Sequence, residues 1–488
     1  MGKRAEQARK RRRLAQNGPA VTKTPVVTID EEDASTSLIP PEDLAITIET
    51  LNALAEDPSE LADKSMKDLK RALYNLQRVM AEGSTLGSSL TSRISAALRD
   101  YRFDDALILL YEMYVRKLPP KLGALQRWVR ECDATSTVDT LPDSDAMKCL
   151  DLILRIAGGD AVKKNGGEQS GFELKQNAVW SARDDMLGEI KIWEKMSSGT
   201  LFDTTPPNPY PGFRAVQRVP GHLRRPPNLY DSTVYGSSPD AIRLTSPADR
   251  PRAASRVDVP GVPGAFMVLD VFTPEECLQI VQAAEAIGFE KDEAVQGSAT
   301  QKTSILARNF VWLADQSVLS HFYSQILPFV PQNASITEDG QGGGKVRGIN
   351  ARFRVYQYRE NQVYRPHIDG AWPAAGLSET GEYLHDSSPA SDPLWSRYTL
   401  LVYLNSDIAK DSGSTTFFLP SDKLGVMETT SVRPIQGAVL CFPHGDTHGS
   451  LLHEGSAVGE GSGKFVIRTD LLYEAKGFGQ YKPPAAEV

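Results

Sequence analysis

The stretch of sequence that decides the fold runs from Phe353-Arg354-Val355-Tyr356-Gln357-Tyr358 to Arg365-Pro366-His367-Ile368-Asp369-Gly370. The first run is rich in β-branched and aromatic residues, which predicts a strand. Side chains two positions apart on a strand point to the same face, so His367 and Asp369 would lie side by side. An imidazole nitrogen and a carboxylate oxygen placed in this way could bind one metal ion. The alternative is a histidine that hydrogen-bonds to a neighbouring carboxylate.

A second histidine would complete a metal-binding set. Two histidines and one carboxylate leave coordination positions open, which is typical of non-haem Fe(II) oxygenases. The candidates for this second histidine are His444, His448 and His453. Two cationic side chains follow, Lys464 and Arg468, which lie four residues apart and on the same face of a predicted strand. A dicarboxylate co-substrate would need such a cation for the carboxylate that lies away from the metal.

The sequence around these residues reads as many short strands braced by helices. Gly, Pro and Asp turns separate further strand-like runs at residues 266–272, 398–404, 415–419, 438–442 and 464–468. Thr273-Pro274-Glu275-Glu276 predicts a helix start with a capping box, and a second helix is predicted over 317–326. This pattern predicts a β-sandwich or barrel with helices on one side.

Residues from about 262 to 475 resemble the catalytic domain of the 2-oxoglutarate- and Fe(II)-dependent dioxygenases, in the prolyl 4-hydroxylase-like branch. The matching segments are residues 350–358, 362–370, 398–405, 413–417, 432–442 and 453–468. The resemblance implies a double-stranded β-helix, a jelly-roll or cupin-like barrel, over residues 262–476. It also implies Fe(II) as the metal, 2-oxoglutarate as the co-substrate, O2 as the oxidant and a requirement for ascorbate.

The resemblance assigns the metal ligands. His367, Asp369 and His453 match the iron ligands of the family. His453 is preferred to His444 and His448 because the family's distal histidine is followed, after about ten residues, by a cation at the start of a strand, and Lys464 fits this spacing from His453. His444 and His448 are then loop residues or lie behind the ligands.

The resemblance also assigns the residues that would hold 2-oxoglutarate. Lys464 matches the carboxylate anchor, with Arg468 as a rival because the spacing is one residue longer than is commonest. Tyr358 matches a tyrosine that hydrogen-bonds to the co-substrate, but it could equally be a core residue. Thr399 could line the same pocket, although core packing is favoured for it. Ser412 departs from the family, which has a glycine in this turn, and we expect this change to be tolerated.

The implied reaction is the hydroxylation of a C–H bond with release of succinate and CO2. The substrate is unknown and could be a protein or peptide, since peptidyl proline is the commonest substrate of this branch. The polar stretch from Trp372 to Ser396, with His385, could be a substrate lid or a plain surface insertion. Arg308 and Asn309 could contact substrate.

Two other functions are compatible with the sequence. A jelly-roll protein without catalysis could act as a scaffold or interaction protein through its N-terminal helical region. A cupin-type metal enzyme could work without 2-oxoglutarate, but Lys464 and Tyr358 argue against this second alternative.

The rest of the chain predicts a multidomain protein. Residues 1–45 read as a tail with a basic block at 9–13 and an acidic patch, 46–198 as an all-α domain, 199–261 as a Pro-rich linker and 477–488 as a tail. Helical periodicity is clear over 69–80, 90–98 and 106–114, and further helices are expected around 146–156 and 186–196. The helical domain has no assigned task and could bind a protein partner.

Composition limits the remaining classes. Sixty-two acidic against 54 basic residues give a net charge of -8, so nucleic-acid binding is not indicated beyond the basic arm. The four cysteines are widely spaced, which argues against a disulfide scaffold or a thiolate zinc site. We find neither a long apolar run nor a secretory signal pattern, so we expect no membrane association and a cytoplasmic or nuclear location, with 9–13 as a candidate import signal.

Overall fold

A computed structural model describes residues 40–82, 89–133, 144–158, 172–184, 188–203, 212–224, 227–293, 295, 307–335 and 344–475. The chain divides into two compact units, Met1–Tyr74 and Asn75–Val488. The candidate import signal and the predicted C-terminal tail lie outside the described residues. No helix of the described residues is long and apolar enough to cross a membrane.

The helices follow the predicted periodicity in most places. They are α1 (Pro41–Glu56), α2 (Lys67–Glu82), α3 (Leu90–Arg99), α4 (Phe103–Val115), α5 (Leu122–Cys132), α6 (Ser144–Gly158), α7 (Ile192–Ser197), α8 (Pro274–Ile287) and α9 (Gln316–Ile326). The capping box of α8 is confirmed, because Thr273 Oγ1 accepts from the Glu276 N–H and the Glu276 carboxylate accepts from the Thr273 N–H. Helix α1 begins inside the segment predicted as a tail, which corrects that boundary.

The strands form two large sheets and one small hairpin. They are β1 (Glu173–Gln176), β2 (Phe213–Val219), β3 (Ser232–Ser237), β4 (Ser255–Asp258), β5 (Phe266–Leu269), β6 (Arg308–Leu313), β7 (Val346–Ile349), β8 (Arg352–Tyr358), β9 (Tyr364–His367), β10 (Gly376–Leu377), β11 (Tyr383–Leu384), β12 (Leu394–Tyr403), β13 (Thr415–Pro420), β14 (Val426–Val432), β15 (Val439–Pro443), β16 (His453–Gly455) and β17 (Lys464–Glu474). A ten-stranded sheet has the order β2-β3-β6-β8-β17-β12-β15-β5-β4, with β7 beside β17. A five-stranded sheet has the order β1-β14-β13-β16-β9.

The two sheets pack face to face over a core of alternating side chains. Phe417 of the five-stranded sheet and Phe442 of the ten-stranded sheet meet edge to face, with centroids 5.2 Å apart. The Tyr403 hydroxyl lies 2.8 Å from Thr415 Oγ1 across the same space. A helical region together with a sheet-rich region is confirmed. The strand pairs of the described residues leave the two sheets open, and the jelly-roll topology stays a prediction.

The outer face of the ten-stranded sheet is covered by α8 and α9. Phe353 of β8 points outward and meets Phe322 of α9 edge to face at 6.3 Å. Ile280 and Val281 of α8 belong to the same buried cluster. This layer braces the sheet whose inner face carries Tyr356 and Tyr358, so it keeps the strands of the candidate site in place.

Helices α3 to α6 cover the outer face of the five-stranded sheet. Phe418 of β13 and Met427 of β14 are buried in one cluster with Trp128 of α5 and Ile153 of α6. The prediction of a separate helical domain over 46–198 is therefore corrected for the part beyond residue 74. The physical reason is that the sheet is apolar on both faces and needs a second layer.

The Pro-rich segment 199–261 is also more than a linker, which corrects its prediction. It contributes β2, β3 and β4 to the ten-stranded sheet, where β3 pairs with β6 and β4 pairs with β5. Pro220 follows the end of β2, so prolines separate these strands and do not interrupt them. The proline count alone hid this arrangement.

Candidate metal centre and its cavity

The two candidate histidine ligands face each other across a strand pair. His367 ends β9, His453 begins β16, and the two are direct partners in the antiparallel register. Asp369 follows β9, with Oδ1 at 3.5 Å from His367 Nε2 and Oδ2 at 3.7 Å from His453 Nε2. One atom from each of the three residues lies within 4.8 Å of the others, and all three residues are buried. This is a compact set of two nitrogens and one carboxylate.

Backbone carbonyls orient both imidazole rings. Nδ1 of His367 lies 2.8 Å from the Arg365 carbonyl oxygen, and Nδ1 of His453 lies 3.1 Å from that of Leu451. A carbonyl only accepts, so each Nδ1 carries a proton and each Nε2 is the ring nitrogen left for the site. Burial and the neighbouring imidazole lower the pKa of His453 to about 3, which keeps this ring neutral. Neutral rings of this tautomer are suited to metal binding.

Two side chains hold the Asp369 carboxylate from opposite sides. Thr399 Oγ1 donates to Oδ2 over 2.7 Å, and Arg468 Nε lies 3.4 Å from Oδ1. Burial alone would raise the pKa of Asp369, but the Arg468 guanidinium and the histidines hold it well below its usual range. Arg468 also pairs with Asp470 Oδ1 at 3.1 Å and donates to the Gly370 carbonyl at 3.1 Å. Asp369 is thus a fixed, ionised carboxylate.

Lys464 has a different environment from Arg468. Its Nζ donates to the Gly413 carbonyl over 2.7 Å and lies 5.1 Å from the centre of the Tyr358 ring. No carboxylate of the described residues forms an ion pair with it, although Glu454 acts on it at longer range. Burial lowers the pKa of Lys464 to about 7. A buried ammonium without a carboxylate partner favours an incoming anion.

The histidines, the carboxylate and both cations line one small cavity between the sheets. Its wall is formed by Tyr356, Tyr358, Tyr364, His367, Asp369, Leu401, Thr415, His453, Glu454, Gly455, Lys464, Val466 and Arg468. The Tyr364 ring lies 3.7 Å from that of His367, and the Phe442 ring lies 4.6 Å from that of His453. Aromatic packing therefore helps to fix the orientations of the two imidazole rings.

The remaining candidates lie outside the cavity wall. Thr399 is behind Asp369, between that carboxylate and His444, and is not among the residues that form the cavity wall. His444 is buried, whereas His448 is exposed and is held by a backbone bond to Ser335. Neither histidine belongs to the metal set.

The proposed substrate contacts have mixed positions. Asn309 is buried and accepts from Arg354, which also pairs with Asp292, so Asn309 is a core residue. Arg308 is half-buried in β6. Within the 372–396 stretch, the ring of His385 packs edge to face on that of Trp372 at 5.8 Å.

Sequence patterns missed the contribution of helix α5. Gln126 Nε2 donates to the Ile368 carbonyl over 3.0 Å, between the two ligands of the His-x-Asp pair. Asp133, directly after α5, pairs with Arg365 on the same strand. These partners are separated by more than 200 residues, 242 in the case of Gln126, and no local pattern links them.

Comparisons with known proteins add little to this geometry. No protein-family model and no curated protein matches the sequence. One similar solved structure is a viral collagen prolyl hydroxylase from Paramecium Bursaria Chlorella virus-1 in a 2OG complex, with 16% identity, a TM-score of 0.27, and coverage of 46% of this chain and 97% of that one. Another is a Pseudomonas putida prolyl-4-hydroxylase, with 15% identity, a TM-score of 0.25, and coverage of 40% and 82%. Inference about function therefore depends on the side chains of the cavity.

Proposed function

We propose that this protein is an Fe(II)- and 2-oxoglutarate-dependent dioxygenase that hydroxylates a C–H bond, and that its two facing sheets are the halves of a double-stranded β-helix. The observation that carries the proposal is the convergence of His367, Asp369 and His453 in one buried cavity that also contains Lys464. Two imidazoles and one carboxylate with open positions are the donor set that suits Fe(II).

The donor set fits a divalent ion in chemistry as well as in spacing. Both Nε2 atoms are left for the metal because both Nδ1 atoms are bound to carbonyls. Asp369 supplies negative charge, and its low pKa keeps it ionised. His367, Asp369 and His453 would hold the metal, while Thr399 and Arg468 keep the carboxylate in position.

Lys464 is the residue that we assign to the remote carboxylate of 2-oxoglutarate. Arg468 already forms ion pairs with Asp369 and Asp470, so its charge is used within the protein. Lys464 has a carbonyl and an aromatic ring as neighbours, and an incoming carboxylate would supply the missing counter-charge. Tyr358, opposite Lys464 in the strand register, offers a hydroxyl on the same wall.

The chemistry supplied when Fe(II) and 2-oxoglutarate are bound is oxidative decarboxylation coupled to hydroxylation by O2, with release of succinate and CO2. The metal set and Lys464 would hold the two ends of the co-substrate, since both line the same cavity. Leu401 and Val466 line the cavity, and their apolar surfaces help to exclude water. We propose peptidyl proline as the first substrate to test and ascorbate as an activator.

The experiment is succinate release from 2-oxoglutarate by the Fe(II)-loaded full chain, with and without ascorbate and proline-containing peptides. A coupled reaction would add one oxygen atom to a peptide, which mass spectrometry detects. The Asp369→Ala variant is the control and should release no succinate above background. A folded, iron-loaded protein that binds no 2-oxoglutarate and releases no succinate would instead favour a scaffold without catalysis.

A further inference from the structure

The ends of one long loop are fastened to each other next to the metal set. Residues 373–395, which we call the 373–395 loop, lie between Trp372 and Ser396 and include the first two residues of β12. The Ser396 N–H donates to the Trp372 carbonyl over 2.8 Å, and the Trp372 N–H donates to Ser396 Oγ over 2.8 Å. These two bonds close the neck of the loop.

A line of hydrogen bonds runs from this neck to the metal ligand. Ser396 Oγ lies 2.9 Å from His444 Nε2, and His444 Nδ1 lies 2.7 Å from Thr399 Oγ1. Thr399 then donates to Asp369 Oδ2 over 2.7 Å. Ser396 and Thr399 are 0% exposed and His444 is 1% exposed, so water cannot replace any of these partners.

The proton positions along this line are fixed by chemistry. The Asp369 carboxylate only accepts, so the single Thr399 proton goes to it, and the proton of the bond to His444 must come from Nδ1. The neutral ring then accepts at Nε2 from the Ser396 hydroxyl, which itself accepts from the Trp372 N–H. Burial lowers the pKa of His444 to about 3, consistent with this neutral tautomer. Asp470 Oδ1, at 3.6 Å from Nδ1, is beyond hydrogen-bonding distance.

We propose that His444 is a positioning residue that couples the neck of the 373–395 loop to the orientation of the Asp369 carboxylate. This inference rests on the proposed function, because it assigns a role for His444 toward the metal that Asp369 would bind. A shift of the neck moves Ser396, and the buried line of bonds transmits the shift to Asp369 Oδ2.

The loop has a surface on which a substrate could act. Leu377 is 42% exposed and Leu384 is 37% exposed, and they lie on paired strands β10 and β11. Asn350 holds the base of the loop through the Pro373 carbonyl and the Ala375 N–H. A displacement caused by contacts at the exposed hairpin would therefore be transmitted to the metal set through the base and the neck of the loop.

Co(II) titration of the full chain, followed by visible absorption, tests the coupling without turnover. Thr399→Val keeps the shape of the side chain and removes the hydroxyl, and His444→Gln removes the Nδ1 donor. Each should weaken Co(II) binding by about tenfold, the scale of lost partners behind metal ligands, and Thr399→Ser should restore it. His448→Gln, at an exposed histidine nearby, is the matched control and should bind as the wild type does. Circular dichroism verifies that each variant is folded.

A double-mutant cycle tests whether the hydrogen bonds from Ser396 to Asp369 act together on Co(II) affinity or independently of one another. Ser396→Ala should weaken Co(II) binding although Ser396 does not contact Asp369, and combined with Thr399→Val it should add little to the single change. Additive losses, or folded Thr399→Val and His444→Gln variants with wild-type affinity, would overturn the inference and leave the proposed function intact. A wild-type protein that does not bind Co(II) would overturn the proposed function itself.

Discussion

His367 and His453 are direct partners across the antiparallel pair of β9 and β16, with ring centroids 4.4 Å apart. Their sequence positions are distant, but the register of one strand pair fixes their spacing. A one-residue slip would turn one ring to the opposite face, so the metal set exists in one register only. Phe417 pairs with His453 on the other side of β16, which holds this register from the second edge.

Because His367 and His453 face each other, we predict that His453 is the distal histidine that binds metal. His453→Ala should lower Co(II) affinity by more than about 100-fold, since even partners behind the ligands cost about 10- to 100-fold. His448→Ala should bind as the wild type does, because His448 is exposed and outside the metal set. Titration by visible absorption measures both. The reverse pattern would move the ligand role to His448.

We predict that Lys464 anchors 2-oxoglutarate. Lys464→Met should raise the Kd for 2-oxoglutarate by about 10- to 100-fold, because one charged hydrogen bond is lost, and should leave metal affinity unchanged. Calorimetric titration of the Co(II)-loaded protein measures this. Lys410→Met is the control, since the Lys410 side chain is 91% exposed. Unchanged affinity in Lys464→Met would return the role to Arg468.

The low pKa of Lys464 predicts a pH dependence of co-substrate binding. With a pKa of about 7 in the free protein, the ammonium form dominates below pH 7 and is lost above it. A bound carboxylate stabilises the ammonium and raises its pKa, so affinity should be level below pH 7 and fall above it. The slope should approach about tenfold per pH unit, and Lys464→Met should abolish it. A wild-type Kd that is flat across this range would contradict the prediction.

We predict that removing the charge of Arg468 lowers the stability of the fold. Arg468→Met leaves Asp369 and Asp470 buried without their shared cation, so the free energy of unfolding of the metal-free protein should fall by about 3–5 kcal/mol. Urea unfolding measures it. Arg347→Met is the control, because the pair of Arg347 and Asp392 is 38% and 35% exposed and should contribute about 0–1 kcal/mol. Equal losses in the two variants would show that Arg468 does not carry this charge balance.

Because helices α3 to α6 cover the five-stranded sheet, we predict that the stability of the sheets depends on α5. Trp128→Ala opens a cavity in the buried cluster that also contains Phe418 and Met427 of the sheet, and should lower the free energy of unfolding by about 3–5 kcal/mol. Tyr111→Ala on α4 is the control, since Tyr111 is 59% exposed. Urea unfolding should show one cooperative loss of helix and sheet signals in Trp128→Ala. Separate transitions would indicate that the helices fold independently of the sheet.

Local chemistry explains what the sequence predicts well. The two-residue spacing of His367 and Asp369 and the capping box at Thr273 depend on neighbours along the chain, and the structure shows both arrangements directly. Strand runs such as 398–404 and 464–468 are equally local, because side-chain alternation marks them. The parts of a buried site that depend on short spacings can therefore be read from one sequence.

Long-range packing explains what the sequence missed. The position of Thr399 behind Asp369 depends on how β12 faces β9 across the sandwich, which no alternation pattern specifies. The sequence predicts a separate domain for the helices over 90–158. An amphipathic pattern shows that a helix has an apolar face, but it does not reveal which surface that face packs against. The strands within 199–261 were obscured by the prolines that separate them.

The hydrogen bond between Gln126 and Ile368 has a consequence for biosynthesis. It joins residues that are 242 positions apart. The strand that pairs with β9 is β16, which begins at His453 and is translated later still. The metal set can therefore assemble only after residues up to β16 have left the ribosome, and contacts of such separation form slowly. Metal capture would then mark the completion of folding, and an incomplete nascent chain would have no preformed place for the ion.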